Sequence, residues 1–138
     1  MKDLKINHLQ HVGIPVTDLR TSEAFYETLG FQNVMSSTFE FAGEAGGKVA
    51  MMKNGSVIIE LYQMPETELR KIRERGDGHI DHVAFDVDDV EFTFQTLKNA
   101  GFQVLEPAPV FLAFWKNGCK YFNILGPDGE RLEFNQIL

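Results

Sequence analysis

The chain has 138 residues, 43% of them apolar, with a formal net charge of -7 and one cysteine. This is enough apolar material for one folded core, too much for disorder, and it lacks the ~18-residue apolar run of a membrane span. The acidic balance without a basic run excludes a nucleic-acid partner, and the start MKDLKINHLQ carries no apolar segment of a secretory signal. With Cys119 unable to form an internal disulfide, the expected location is cytoplasmic.

In chain order, His8 to Val16 predicts a strand with Val12, Ile14 and Val16 on one face and His11 and Gly13 on the other. Asp18 or Thr21 caps a helix whose apolar residues are Leu19, Phe25, Tyr26 and Leu29, and Gly30 ends it. Strands are expected over Phe31 to Phe41, Lys48 to Lys53 and Ser56 to Tyr62, with Asn54-Gly55 as a tight turn. The loop from Ser36 to Gly47, with three glycines, is the candidate mobile lid. Met64 to Gly78 reads as a short charged helix stopped by Gly76 and Gly78. Its RKIRER run, Arg70 to Arg75, lies among Glu66, Glu68 and Glu74 as a solvated face. A strand from His79 to Val87 and a helix from Asp89 to Ala100 follow, with Val90, Phe94 and Leu97 inward and Gly101 closing it. The last strands are expected near Phe102 to Leu105, Val110 to Trp115, Cys119 to Leu125 and Glu130 to Gln136. Asn117-Gly118 and Gly126-Pro127-Asp128-Gly129 form turns.

The second half repeats the first. At an offset of 71 residues His11 lies over His82, Val12 over Val83, Val16 over Val87, Asp18 over Asp89, and Gly30-Phe31-Gln32 over Gly101-Phe102-Gln103. His8 lies over His79, and at an offset of 73 Glu60 lies over Glu133 and Gln63 over Gln136. The chain is therefore read as one domain, 1–138, made of two βαβββ repeats, about 1–63 and 79–138, joined by 64–78.

The repeat makes four residues a candidate site. His11 and His82 sit in first strands opposite the valines that pack on the helices, and Glu60 and Glu133 sit in last strands set in VIIELY and RLEF. A carboxylate buried in such a strand needs a partner. Two copies related by a pseudo-two-fold would bring the four groups to one point. Two imidazoles and two carboxylates suit one divalent ion, Zn, Ni, Co, Fe or Mn, and the absence of a thiolate argues against a structural zinc site. An octahedral shell would leave two adjacent positions for water or two vicinal substrate oxygens, an arrangement that polarises a carbonyl and stabilises an enediolate. A ligand glutamate that loosens could move the proton. His8 and His79, on the opposite strand face, are read as structural.

The stretches HLQHVGIPVTDLRTSEAFYETLGF, HIDHVAFDVDDVEFTF and GPDGERLEFNQ resemble the opening, second-unit and closing segments of glyoxalase-type vicinal-oxygen-chelate proteins. The resemblance covers nearly the whole chain. It implies an α+β fold of two tandem βαβββ modules forming a half-open barrel-like sheet around a metal site, with His11, Glu60, His82 and Glu133 as ligands. The full ligand set is similar to that of the isomerase and lyase branch. Extradiol dioxygenases generally use two His and one Glu, and bleomycin-resistance binders generally lack the ligands. The nearest likeness is to glyoxalase I-like proteins. It implies a small-molecule hemithioacetal or related α-hydroxycarbonyl substrate, Glu133 (or Glu60) as catalytic base, and a homodimer. One departure is Pro15, where glyoxalase I typically has an arginine for a glutathione carboxylate; Lys48, Lys53, Lys116, Lys120 or Arg131 are the remaining cations. Phe111, Phe114, Trp115 and Tyr121 are candidates to wall the cavity. A methylmalonyl-CoA-epimerase-like isomerase and a non-catalytic binding protein of the same fold are the alternatives.

Overall fold

A computed structural model of the chain describes residues 3–28, 30–75, 81–125 and 131–138. The elements run β1 (Leu9–Pro15), α1 (Leu19–Thr28), β2 (Gln32–Phe41), β3 (Glu44–Asn54), β4 (Val57–Gln63), α2 (Glu66–Arg73), β5 (His82–Asp86), α3 (Val90–Asn99), β6 (Val110–Leu112), β7 (Cys119–Leu125) and β8 (Arg131–Ile137). This is an α+β chain in which the order βαβββ occurs twice. Its residues form two compact units, His11–Asp81 and Met1–Gln10 with His82–Leu138. Among the described residues no helix is long and apolar enough to cross a membrane.

In the unit His11–Asp81 the strands lie in the order β2-β3-β4-β1. β1 and β4 are parallel, with Gly13 opposite Glu60, and β3 is antiparallel to β4, with Met51 opposite Glu60. Because side chains alternate along a strand, one face carries Ile14, Ala50, Met52, Ile59 and Leu61. These pack with Val16, Leu19, Tyr26 and Phe31 as the core beneath α1. α1 begins where the Asp18 carboxylate accepts the Thr21 N–H at 2.8 Å, so Asp18 is the cap. It ends where Gly30, at φ +86°, lets the Phe31 N–H bond back to the Tyr26 carbonyl at 3.2 Å.

The second unit has the same plan, with order β5-β8-β7-β6. β5 and β8 are parallel, with Ala84 opposite Glu133, and β7 is antiparallel to β8, with Asn123 opposite Glu133. Val87, Val90, Phe94, Leu97, Phe122, Ile124 and Phe134 form its core. The Phe122 ring stacks on Phe134 (5.3 Å between centroids) and meets Phe94 edge-on at 5.2 Å. Burying one such ring stabilises the fold by roughly 1.5–3 kcal/mol. Gly101, also at φ +86°, closes α3 as Gly30 closes α1, with the Phe102 N–H on the Leu97 carbonyl at 3.1 Å.

Residues 3–10 pack with this second unit. The Asn7 amide donates to Asp86 at 2.9 Å and Asp88 at 2.8 Å, and Lys5 pairs with Asp88 at 3.0 Å.

Several expectations change. The segment from Ser36 to Gly47 is not a lid but the paired body of the β2–β3 hairpin. Its turn residues are Ala42 and Gly43, both at positive φ, with Phe41 opposite Glu44. The β3–β4 turn is Gly55 and Ser56, since Asn54 already pairs with Val57. Phe102 to Leu105 is not a strand but an isolated bridge from Val104 to Ile124, because no run of pairs extends it. β6 stops at Leu112, and Trp115 takes a left-handed φ of 65°. Phe25 is 57% exposed, lying edge-on to Tyr26 rather than in the core. The RKIRER run is the solvated face expected: Lys71 pairs with Glu68 and Arg73 with Glu66 while Leu69 faces inward. Leu29, Gly76, Gly78, His79 and the Gly126–Gly129 turn lie outside the described residues.

Candidate metal centre

In each unit one histidine and one glutamate meet. In the unit His11–Asp81, Val12 and Ile14 turn toward the helix and the alternation of β1 sends His11 to the other face, where Gly13 opposes Glu60. His11 is 1% exposed and the Glu60 side chain 13%, with His11 Nε2 at 3.7 Å from Glu60 Oε2. Val49, Met51 and Tyr62 are buried on the same face. In the other unit Ala84 opposes Glu133 and His82 lies two residues before it on the same face. His82 and Glu133 are each 7% exposed, with His82 Nε2 at 3.3 Å from Glu133 Oε2. Both units place a small residue, Gly13 or Ala84, beside the carboxylate, which leaves the glutamate room to lean toward its histidine.

Both separations exceed the usual 2.7–3.2 Å of a hydrogen bond to oxygen. Two ligand atoms each ~2.0–2.2 Å from one ion stand roughly 3.0–3.5 Å apart. The His82–Glu133 pair has the spacing of neighbouring ligands and the His11–Glu60 pair stands slightly wider, and each pair offers one imidazole nitrogen and one carboxylate oxygen. This set fits a first-row divalent ion.

Glu133 is further fixed. Its Oε1 accepts the Asn135 side-chain N–H at 2.8 Å. The Asn135 side-chain oxygen in turn accepts from Gln10 at 3.2 Å, and Gln10 also reaches Asp86 at 3.2 Å. Gln10 and Asn135 are buried, and neither stands out in the sequence as a site residue. The available signal was the spacing of Asn135, two residues beyond Glu133 on one strand face. Hydrogen bonds of this kind orient ligands and are costly to lose.

The other candidates divide. Tyr121, opposite Asn135, shares the Glu133 face, and Arg131 shares it with His82. Phe111 is opposite Lys120 on the reverse face and is largely exposed. Phe114 is buried, and the Trp115 indole N–H is buried without an acceptor among the described residues. Lys120 is engaged with Glu91 at 2.9 Å. His8 is exposed, with its Nδ1 at 3.9 Å from Asp86, away from these pairs.

The family model for the Glyoxalase/Bleomycin resistance protein/Dioxygenase superfamily matches residues 8–134. The chain belongs to this superfamily. This glyoxalase-superfamily protein is 31% identical to the uncharacterized Bacillus subtilis protein YwbC over 131 residues, covering 93% of this chain and 96% of that one. Its structure is similar to that of the hypothetical protein BH1468 from Bacillus halodurans C-125, with a TM-score of 0.75 and 30% identity over 97% of this chain and 96% of that one. A Streptomyces coelicolor methylmalonyl-CoA epimerase, in complex with 2-nitronate-propionyl-CoA, shares the fold with a TM-score of 0.76 at 22% identity, over 96% of this chain and 98% of that one.

Proposed function

We propose that the protein is a metal-dependent lyase/isomerase resembling glyoxalase I (lactoylglutathione lyase). In this reading His11, Glu60, His82 and Glu133 hold one divalent ion, Zn, Ni, Co, Fe or Mn. The observation that carries the reading is the doubled His–Glu pair, one in each unit, with three of the four residues buried and the separations 3.7 and 3.3 Å. Such an ion, when bound, supplies a Lewis acid for a carbonyl oxygen.

The substrate is a 2-oxoaldehyde hemithioacetal or a related α-hydroxycarbonyl compound. The chain's own part is to exclude water and move one proton. Glu133 takes it from one carbon and returns it to the next, and Glu60 is the second candidate. The Asn135 amide keeps the Glu133 carboxylate in one orientation during this exchange. Arg131, on the same face, is the cation for an anionic end of the substrate. The same reading makes the protein a cytoplasmic homodimer. The lone cysteine Cys119, and the strands β2 and β6, each with one neighbouring strand among the described residues, are consistent with that.

A second reading is a thioester epimerase. Pro15 favours it, standing buried where a glutathione-binding arginine is typical of glyoxalase I. The shared fold with the epimerase leaves it open.

The test is metal content by elemental analysis of wild type and His82→Ala, followed by methylglyoxal turnover with several thiols. One ion per wild-type chain, lost in the variant, with turnover, is the expected result. Metal without turnover moves the assignment to the epimerase, checked by solvent-deuterium exchange into methylmalonyl-CoA. A wild type that takes up no metal overturns both.

A further inference from the structure

The side-chain amide of Asn123 on β7 is held from one side. Its Nδ2 donates to Glu106 Oε1 at 2.8 Å, and its backbone N–H donates to Glu106 Oε2 at 2.6 Å. An ionised carboxylate only accepts, so the amide cannot turn over, and its Oδ1 is directed away from Glu106. Glu106 arrives along one edge of β7, next to Leu105, whose N–H binds the Asn123 carbonyl at 2.9 Å. Along the other edge runs β8, with Glu133 directly opposite Asn123. Residues paired in this way project from the same face.

Asn123 is 4% exposed, and its Oδ1 is buried with no hydrogen-bond donor among the described residues. Buried acceptors without a donor are rare in folded proteins and call for a partner. Here the amide is oriented by its bond to Glu106, on the residue that pairs directly opposite Glu133.

We propose that Asn123 is a specificity residue whose Oδ1 accepts a hydrogen bond from a hydroxyl group of the bound substrate. This rests on the reading of Glu133 as part of the reaction site, and it narrows the substrate class. The compound taken carries a hydroxyl on the carbon next to its carbonyl. A site built to bond a hydroxyl rejects analogues that lack it, because the buried acceptor is then left unpaired. Hemithioacetals carry that hydroxyl; a methylmalonyl thioester does not.

The experiment is calorimetric titration of the zinc-loaded protein with 2-hydroxyacetophenone and with its O-methyl ether, which differs by the missing donor. Wild type is expected to bind the hydroxy ketone at least about tenfold more tightly than the ether. Asn123→Ala is expected to abolish that preference. Glu106→Gln is the second variant: it keeps an acceptor for Asn123 but adds a donor, so the amide is free to turn, and the preference is expected to shrink. Equal binding of the two probes by wild type, binding of neither, or an unchanged preference in both variants overturns the proposal. So does a crystal structure in which one fixed water holds Oδ1 whichever probe is bound. Hemithioacetal turnover is measured separately. Turnover without the preference overturns Asn123 alone, whereas the preference without turnover supports Asn123 and overturns the glyoxalase assignment.

Discussion

The side-chain oxygen of Gln136 accepts the backbone N–H of Val90 at 3.1 Å, and in the other unit Gln63 accepts that of Leu19 at 2.9 Å. Each donor is the first amide of a helix, one of the four that have no partner within it. Asp18 and Asp89 satisfy the third amides, of Thr21 at 2.8 Å and Phe92 at 2.9 Å. The last strand of each unit is thus tied to the start of its helix, which accounts for the recurrence of this glutamine beside the repeated glutamate.

Removing that tie leaves a partly buried amide without an acceptor. Gln136→Leu and Gln63→Leu are each expected to cost about 1 kcal/mol, the usual worth of a helix cap. Urea unfolding should show a lower midpoint at an unchanged slope.

Asn135→Ala is expected to weaken metal affinity by roughly 10–100-fold, because the Glu133 carboxylate loses the amide that orients it. Glu60→Ala should weaken it further, since a proposed ligand itself is removed. Competition with a chelator measures both. An unaltered affinity in Glu60→Ala would reduce the ligand set to three.

Two glycines at nearly the same φ should respond differently to a methyl group. Gly101 (φ +86°) has nothing within 4 Å of an added Cβ, so Gly101→Ala should cost only the left-handed backbone, about 1–2 kcal/mol. At Gly118 (φ +88°) the Cβ would meet the Phe111 ring and stand 2.9 Å from the Leu112 carbonyl oxygen. Gly118→Ala should therefore cost roughly 1–3 kcal/mol more through overpacking. Thermal unfolding of the pair checks the order.

Acid should loosen two surface ties. The backbone N–H of Thr21, and then its side chain, hold the Asp18 carboxyl below its ordinary value of 3.8. The side chain of Asn7, followed by Lys5, does the same for Asp88. A carboxyl with a depressed folded-state pKa contributes stability that is present above its unfolded value and lost as pH falls through the folded one. The stability advantage of wild type over an Asp18→Asn, Asp88→Asn double variant should hold at neutral pH and shrink below about pH 4. Urea midpoints between pH 7 and pH 2.5 measure it; a constant difference would contradict the assignment.

The doubled βαβββ order was legible because the same apolar spacing and the same Asp, Gly, His and Glu residues recur at a fixed offset. The histidines and glutamates were legible as strand residues facing away from the helices. Other features depend on contacts distant in sequence. The β2–β3 hairpin reads as a glycine-rich loop, since pairing, not local propensity, extends Ser36–Gly47. Phe25 keeps helical spacing with core residues yet faces outward. The support of Glu133 joins Gln10 to Asn135 across most of the chain, and Glu106 reaches Asn123 from an irregular segment. No local pattern encodes either pairing.

Residues 3–10 precede the unit His11–Asp81 in sequence but find their partners, Asp86, Asp88 and Asn135, beyond it. The unit His11–Asp81 is contiguous and free to fold as it emerges. The unit holding His82 and Glu133 must close a long loop before it is complete, a slow step governed by chain entropy. The carboxylate assigned to proton transfer thus sits in the unit that needs this closure, and a deletion within residues 3–10 would be felt at Glu133 rather than at the histidine that follows them.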